Sequence, residues 1–413
     1  MDFTRYFTDF GSLLIFLLVL NGLVFVHELG HFLACRFSHV PVEEFGLGFP
    51  PRLLAVTRDQ SGRLRLILPE PLQQLLGTPS AQPNSLRHWL VGWLVPSPAT
   101  TTTPADNKAV PSTSTHTVYS LNLLPIGGFV RPAGEDNATV ANGLANAPKR
   151  VRFLVMAAGP VSNLIFAFLI FVVGFSLGWP DQVTIASIAP DSPATQIGLR
   201  IGDIIVQANG VTIHYPDQLS EISYGNVGRP VTLVIKRREA RQTLTLTPRV
   251  KWPEGQGPMG LTMSWGTIVT YPVPQAIVRA GEEIYYQLLT LVRLPGRLIR
   301  NQISYEEARL CGPVCMNELT RAAVEVSQEV NALYPLLQLI GLISIALGVT
   351  NLLPIPAMDG GRIVFVLLEA IRGKRLSPER EGLVHMVGLF LLLALMVYVT
   401  YQDIVNPNPL IPR

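Results

Sequence analysis

Residues 26–32 read VHELGHF and follow a stretch, residues 10–26, that contains no charged residue. A helix needs about 20 predominantly apolar residues to cross a bilayer, so this run predicts a membrane-spanning helix. Positions four apart share one helix face, so His27 and His31 can bind one metal ion together. Glu28 lies beside the first of them, where it can act on a water molecule as a general base. The alternative is that these three side chains only cap a helix end at the membrane surface.

The composition also favours a membrane protein. The chain has 413 residues, of which 48% are hydrophobic and 15% are charged, and its mean hydropathy is +0.33. These values suit an integral membrane protein better than a soluble one. A net charge of +3 without a basic run argues against a nucleic-acid partner. Three cysteines exclude a disulfide framework, and the first residues lack the basic segment of a signal peptide.

Apolar stretches predict a mainly α-helical polytopic membrane protein with about four transmembrane helices. The first stretch begins near Phe10, and the others are Phe153–Pro180, Val330–Met358 and Leu383–Gln402. Arginine and lysine residues flank these spans in residues 36–152 and 372–381, so we place both segments in the cytoplasm. We therefore expect both termini and residues 181–329 to be extracytoplasmic.

Composition shifts divide the chain into six segments. Residues 95–116 are rich in Pro, Thr, Ser and Ala and lack the apolar content to bury a core. Residues 181–250 have β-branched runs and an Asn-Gly turn signal, which predict a β-rich domain. The segments are 1–68 (first membrane helix and start of a β-region), 69–117 (low-complexity cytoplasmic insertion), 118–180 (β-loop and second membrane helix), 181–250 (β-rich domain), 251–329 (linker and helical segment) and 330–413 (third and fourth membrane helices).

A second motif, NLLPIPAMDGG at 351–361, ends the third apolar run. Pro354 and Pro356 remove helix hydrogen bonds, and broken backbone in a membrane is tolerated only where it is buried in protein or lines a cavity. We therefore predict an opened helix that presents Asp359 as a third metal ligand. Catalytic zinc sites have three protein ligands and an open position, and a His/His/Asp set suits zinc. Asp359 could instead be solvated at a helix end.

With these residues, the chain resembles the site-2 protease family of intramembrane zinc metalloproteases, in particular the bacterial regulator-of-sigma-E-protease type. HELGH at 27–31, GPVSN at 159–163 and NLLPIPAMDGG at 351–361 match the motifs of its three core helices. The resemblance implies one zinc ion per chain, held by His27, His31 and Asp359. It also implies that Glu28 activates the water, and that the protein lies in the inner, cytoplasmic membrane.

The resemblance further implies substrate contacts. Asn351 would bind the substrate backbone near the scissile bond, and Pro354 and Pro356 of the same motif would also contact the substrate. Gly127 and Gly128 lie in LPIGGFVRP, which resembles the family's membrane-associated β-loop. That loop pairs with an unwound substrate by strand addition. Asn163 either orients the active site or packs between helices through its amide, and the sequence leaves both possibilities open.

Residues 181–250 resemble a PDZ domain, which the family places outside the membrane. We expect one such domain, where the sigma-E-protease type has two. Two roles are open for it: binding a newly exposed carboxyl terminus, or blocking bulky substrates. We favour the size filter because blocking needs volume and no particular groove residues. Within this domain only His214 could be a metal ligand.

Two further features, the LCGPVC segment and His385, have no predicted role in catalysis. LCGPVC at 310–315 resembles a Gly-Pro-Val segment of the family but carries Cys311 and Cys315. We prefer to interpret them as unpaired, although a disulfide is conceivable outside the membrane. His385 lies on the fourth span, and we interpret it as a core histidine bonded to a neighbour rather than as a metal ligand.

The sequence therefore predicts a zinc metalloendopeptidase that cuts the transmembrane segments of single-span membrane proteins, such as anti-sigma factors or remnant signal peptides. Its partners would be those substrates and the lipid bilayer. A zinc-dependent transporter or metal sensor is an alternative, but it would not need Glu28 or a β-loop. A catalytically inactive scaffold whose PDZ-like domain binds tails is another, and the intact ligand set argues against it.

Overall fold

The computed structural model describes most of the chain. The described residues are 3–58, 63–67, 117–135, 140, 142–238, 240–253, 256–299, 309–374 and 378–407. The predicted insertion at 69–117 lies outside these residues, except for Thr117. The chain divides into two compact units, which are described separately below. The first contains residues 1–167, 311–321 and 340–407, and the second contains residues 168–310, 322–339 and 408–413.

The described chain contains both helices and strands. The helices are α1 (Phe3–Phe37), α2 (Lys149–Leu177), α3 (Pro193–Gln196), α4 (Pro216–Gly225), α5 (Val273–Ile299), α6 (Pro313–Glu329), α7 (Tyr334–Leu352), α8 (Asp359–Arg372) and α9 (Pro378–Val405). The strands are β1 (Val42–Arg58), β2 (Leu64–Ile67), β3 (Val118–Pro132), β4 (Trp179–Pro180), β5 (Val183–Ile188), β6 (Ile204–Ala208), β7 (Val211–Thr212), β8 (Val231–Arg237), β9 (Ala240–Leu246), β10 (Leu261–Trp265) and β11 (Ile268–Val269).

Within the described residues, four helices are long and apolar enough to cross a membrane. The segments are Gly11–Phe37, Lys149–Leu177, Tyr334–Leu352 and Arg380–Val405. They coincide with the four predicted apolar runs. Many of their apolar side chains are exposed, including Leu18, Leu169 and Phe390, as expected for helices in contact with lipid rather than water. The third span is α7, which ends at Leu352 within the apolar run Val330–Met358.

The link between α7 and α8 is the predicted break in the helix. Ala357 has a φ of 71°, and its backbone N–H donates to His385 Nδ1 at 2.9 Å. The His385 ring also contacts Phe365, with 5.4 Å between the ring centroids. Gly388 on α9 lies so close to Pro356 that a Cβ would overlap it. These contacts confirm His385 as a histidine bonded within the protein, and they hold the proline-containing link against α9.

The first unit contains a sheet in which β1 and β3 each fold into two arms. Gly46 pairs with both Phe129 and Ser120, and Ser120 pairs in turn with Ala55. The first arm of β3 therefore lies between the two arms of β1, and its second arm forms one edge of the sheet. β2 forms the other edge, where its Ile67 pairs with Ala55 of β1. The edge arm, residues 127–132, lines the same cavity as His27, His31 and Asp359.

The second unit contains the predicted β-rich domain. Its main sheet has the order β10-β5-β6-β8-β9, with β7 paired to β6. Alternate side chains of β8, at Val231, Leu233 and Ile235, are fully buried, as expected for a strand with one face on the core. The topology is compatible with the predicted PDZ-like fold. β10 begins beyond residue 250 and pairs with β5, so the sheet extends further along the chain than the predicted segment.

Cys311 and Cys315 form a disulfide, with their Cα atoms 5.3 Å apart. The interpretation of these cysteines as unpaired is therefore wrong. The bond closes the turn that begins α6, where the backbone N–H of Cys315 donates to Asp403 Oδ2 on α9 at 3.1 Å. Asp403 lies far from this turn in the sequence, so the spacing of the cysteines alone gives no indication of this contact.

Candidate metal centre

His27, His31 and Asp359 converge on one point in the first unit. Their ligand atoms lie within 4.8 Å of one another. His27 Nε2 is 3.0 Å from Asp359 Oδ2, and His31 Nε2 is 3.3 Å from the same oxygen. The two Nε2 atoms are 3.2 Å apart. Helix α1 supplies both histidines because they are four residues apart, and α8 supplies the carboxylate because the proline-containing link ends there.

The second ring nitrogen of His31 is held by the backbone of α2. His31 Nδ1 lies 2.7 Å from the carbonyl oxygen of Val155. A carbonyl oxygen only accepts, so Nδ1 carries the proton and Nε2 presents its lone pair to the ligand cluster. A backbone partner of this kind is what orients a metal-binding histidine and increases its basicity. Val155 does not stand out in the sequence, because any residue can provide a carbonyl.

The second ring nitrogen of His27 faces Asn163 on α2. Asn163 Nδ2 lies 3.3 Å from His27 Nδ1, and the side chain is fully buried. The amide oxygen of Asn163 has no hydrogen-bond partner among the described residues. If the amide oxygen faces the ring, it accepts the Nδ1–H proton and leaves the Nε2 of His27 as a lone-pair donor. The structure therefore brings Asn163 to a metal-site residue, and not only to a helix-packing position.

Close approach of α1 and α2 places the two imidazoles. A Cβ added at Gly159 would overlap His31 Nε2 and lie 2.8 Å from His27 Nε2. A Cβ at Gly30 would overlap the carbonyl oxygen of Ala158. Ser162 Oγ donates to the carbonyl oxygen of Val26 at 2.8 Å and ties the two helices at this crossing. Glycine is needed at both positions because any side chain would separate the helices or displace the rings.

Glu28 lies between the ligands and the edge arm of β3. Its Oε2 accepts a hydrogen bond from the backbone N–H of Val130 at 2.9 Å. A Cβ added at Gly128 would be 3.7 Å from Glu28 Cγ and 3.0 Å from the carbonyl oxygen of Gly46. Gly127, with a φ of 80°, donates its N–H to Asn21 Oδ1 at 2.9 Å. Glycine at 128 therefore lets the edge arm lie close against β1, and the Gly127 N–H ties this arm to α1.

A cavity of about 330 Å³, here called the metal cavity, surrounds these groups. Its described lining residues are His27, Glu28, His31, Phe129, Val130, Pro132, Glu135, Val155, Met156, Asn351, Ala357, Met358, Asp359 and Arg362. Asn351 therefore shares the cavity with the ligands, and its Nδ2 donates to the carbonyl oxygen of Leu347 at 3.0 Å. Pro354 and Pro356 do not line it. They shape the link that brings Asp359 to the cavity.

The donor set fits a zinc ion. Ligand atoms about 2.0–2.1 Å from a tetrahedral zinc lie about 3.3 Å from one another, close to the separations between the three donors here. Two imidazoles and one carboxylate are donors that zinc accepts, and three protein ligands leave a position open. Glycine at 159 leaves the space beside the two Nε2 atoms free of a side chain.

A sequence model described as peptidase family M50 matches residues 15–69 and 107–395. Two curated relatives are similar along nearly their whole length. Zinc metalloprotease RasP of Geobacillus kaustophilus is 28% identical over 424 residues, covering 95% of this chain and 97% of its own. Zinc metalloprotease RasP of Oceanobacillus iheyensis is 28% identical over 422 residues, covering 94% of this chain and 97% of its own.

Among solved structures, the PDZ domain of an SdrC-like protein from Listeria monocytogenes is similar to part of the chain. It covers 20% of this chain and 87% of its own, at 21% identity and a TM-score of 0.18.

Proposed function

Since the chain belongs to peptidase family M50, we propose that this zinc metalloprotease hydrolyses peptide bonds within the transmembrane segments of single-span membrane proteins. One observation carries the proposal. Two of the three candidate ligands, His27 and His31, lie inside the apolar segment Gly11–Phe37, and the third follows a second apolar helix. A metal site built on such helices acts on bonds at the same depth in the membrane.

The residues of the metal cavity have separate roles in hydrolysis. A bound zinc ion supplies Lewis acidity and a water of lowered pKa. Glu28 accepts a proton from the attacking water and later gives it to the amine that leaves. The Val130 N–H holds the Glu28 carboxylate in place for both transfers. We assign one zinc ion per chain to His27, His31 and Asp359, and a substrate-positioning role to Asn351.

A substrate helix must open before its peptide bond can react, because the helix shields its backbone. The edge arm of β3 offers a row of backbone groups beside Glu28, at the level of Gly128 and Val130. We propose that an unwound substrate segment adds to this edge as a further strand. Main-chain hydrogen bonds would then provide affinity with little demand on the substrate sequence.

The placement in the membrane follows the distribution of basic residues. We propose that residues 36–152 and 372–381 face the cytoplasm and that both termini and residues 181–329 are extracytoplasmic. The membrane would be the inner, cytoplasmic one. Anti-sigma factors or remnant signal peptides are the substrate classes that fit an enzyme of this kind. Reporter fusions at Asn107 and at Arg413 test the orientation, and a cytoplasmic carboxyl terminus would contradict it.

The direct test is cleavage of a labelled transmembrane peptide by the purified protein in detergent. We expect cleavage that a zinc chelator abolishes and that added zinc restores. Glu28→Gln protein, prepared in the same way, controls for a contaminating protease. Bound zinc without any cleavage would instead favour a zinc transporter or sensor.

A further inference from the structure

Arg362 lies between two cavities of the first unit. One is the metal cavity, and the other has a volume of about 340 Å³ and contains Arg152, Glu381 and His385 in its lining. Glu135, Met156 and Arg362 line both cavities. The Arg362 guanidinium forms an ion pair with the Glu135 carboxylate. This ion pair is therefore part of the wall that separates the two cavities.

The three carboxylates that line the metal cavity exceed the charge of one zinc ion by a single negative charge, and Arg362 balances that excess. Among its described lining residues, the carboxylates are Glu28, Glu135 and Asp359, and Arg362 is the only lysine or arginine. Arg362 lies three residues after Asp359 on α8, so the two side chains emerge from neighbouring positions of one helix. The Arg362 side chain is 35% exposed, so its ion pair with Glu135 does not cover it completely.

Peptide hydrolysis creates a new charge at this place. The C–N bond breaks, the water oxygen bonds to the carbonyl carbon, and a proton from the water goes to the leaving nitrogen. At neutral pH the second water proton passes from the new carboxyl group to the released amine, so a neutral amide becomes a carboxylate and an ammonium group. A carboxylate in a poorly hydrated site is costly unless a cation pairs with it, and the resident carboxylates repel it. Arginine binds carboxylates with two parallel hydrogen bonds.

We propose that Arg362 binds the carboxylate of the cut substrate and draws it from the metal cavity towards the second cavity. Glu135 holds the guanidinium between turnovers, and the product carboxylate competes with Glu135 for it. The second cavity continues the path with another cation, Arg152, which is paired with Glu369. This assignment rests on the proposed function and gives its reaction a product-binding residue.

The test compares two forms of one probe, a short leucine–alanine peptide with either a free carboxyl terminus or a carboxamide. Binding to the full-length, zinc-loaded protein in detergent is measured by competition with a fluorescent analogue. We expect the wild-type protein to prefer the acid. Arg362→Gln should reduce the acid-over-amide preference by about tenfold, as the loss of a hydrogen bond to a charged group does.

Glu135→Gln is the matched control, because it breaks the same ion pair but leaves the cation in place. It should keep or increase the preference for the acid, and Arg362→Lys should keep part of it. Zinc content and thermal unfolding of each variant show that the protein is intact. In turnover assays, inhibition by the peptide acid should weaken in Arg362→Gln and not in Glu135→Gln.

Two results would overturn the assignment: an unchanged preference in Arg362→Gln, or equal losses in Arg362→Gln and Glu135→Gln. The second result would make the ion pair a structural link only. The binding comparison needs no turnover. An absence of zinc-dependent cleavage by the wild-type protein would therefore count against the proposed function and not against the binding of a carboxylate by Arg362.

Discussion

The backbone N–H of Val130 donates a hydrogen bond to Glu28 Oε2, with 2.9 Å between nitrogen and oxygen. This bond joins the edge arm of the sheet to the proposed general base. A substrate strand that pairs with this edge would lie beside the carboxylate that activates the water. Substrate alignment and proton transfer therefore depend on the same short segment of β3.

Glu28→Gln should retain zinc and lose cleavage by about 10²–10⁴-fold. Glutamine keeps an oxygen that can accept from Val130, so the variant removes the base without removing a ligand. Metal analysis and peptide cleavage should be measured on one preparation. Loss of zinc together with activity would show that Glu28 has a structural role instead.

Asp359→Ala should lose both zinc and activity, because two imidazoles alone leave the ion without its third protein ligand. The variant Glu43→Ala, which removes an exposed carboxylate on β1, is the control and should behave as wild type. Zinc content is measured after dialysis against a fixed chelator concentration. Normal zinc content in Asp359→Ala would remove this residue from the ligand set.

Gly159→Ala should weaken zinc binding although it changes no ligand. The added Cβ would overlap His31 Nε2, so the rings or the helices must move. Gly22→Ala on α1 is the matched control, since a Cβ there meets nothing within 4 Å. We expect a measurable loss of zinc affinity and of activity only for the first variant. Equal behaviour of the two variants would show that the helix crossing does not set the ring positions.

Asn163→Ala should lower zinc affinity by about 10–100-fold, the usual effect of losing a partner of a metal-binding histidine. Competition with a chromophoric chelator measures this affinity, and thermal unfolding measures stability separately. The result decides between the two roles left open by the sequence. Unchanged zinc affinity with a lower unfolding temperature would assign Asn163 to helix packing alone.

Deletion of the β-rich domain should leave zinc and peptide cleavage intact if the domain acts as a size filter. The deletion must cover residues 181–265, since β10 is part of the sheet and would otherwise remain without its partner β5. The measurement is the cleavage rate of one membrane substrate with and without a large folded outer domain. We expect the deleted enzyme to cut both forms. A bulky form that stays uncut, while the trimmed form is processed, would contradict the filter.

Several features of the site could be predicted from local spacing along the chain. Two histidines four residues apart share a helix face in any helix, so His27 and His31 could be paired without coordinates. Long apolar runs predicted the membrane spans, and the two prolines before Asp359 predicted the end of α7. Each of these inferences requires only the neighbouring residues and the geometry of one element.

The surroundings of these features depend on how distant elements pack together. The Val155 carbonyl, the space at Gly159 and the amide of Asn163 reach the histidines because α1 and α2 cross there. The interleaved arms of β1 and β3 and the pairing of Arg362 with Glu135 likewise join distant parts of the chain. Such contacts follow from how elements pack against one another. A periodic pattern within one element carries no information about its partner, and a backbone carbonyl or a missing side chain leaves no distinctive residue type to recognise.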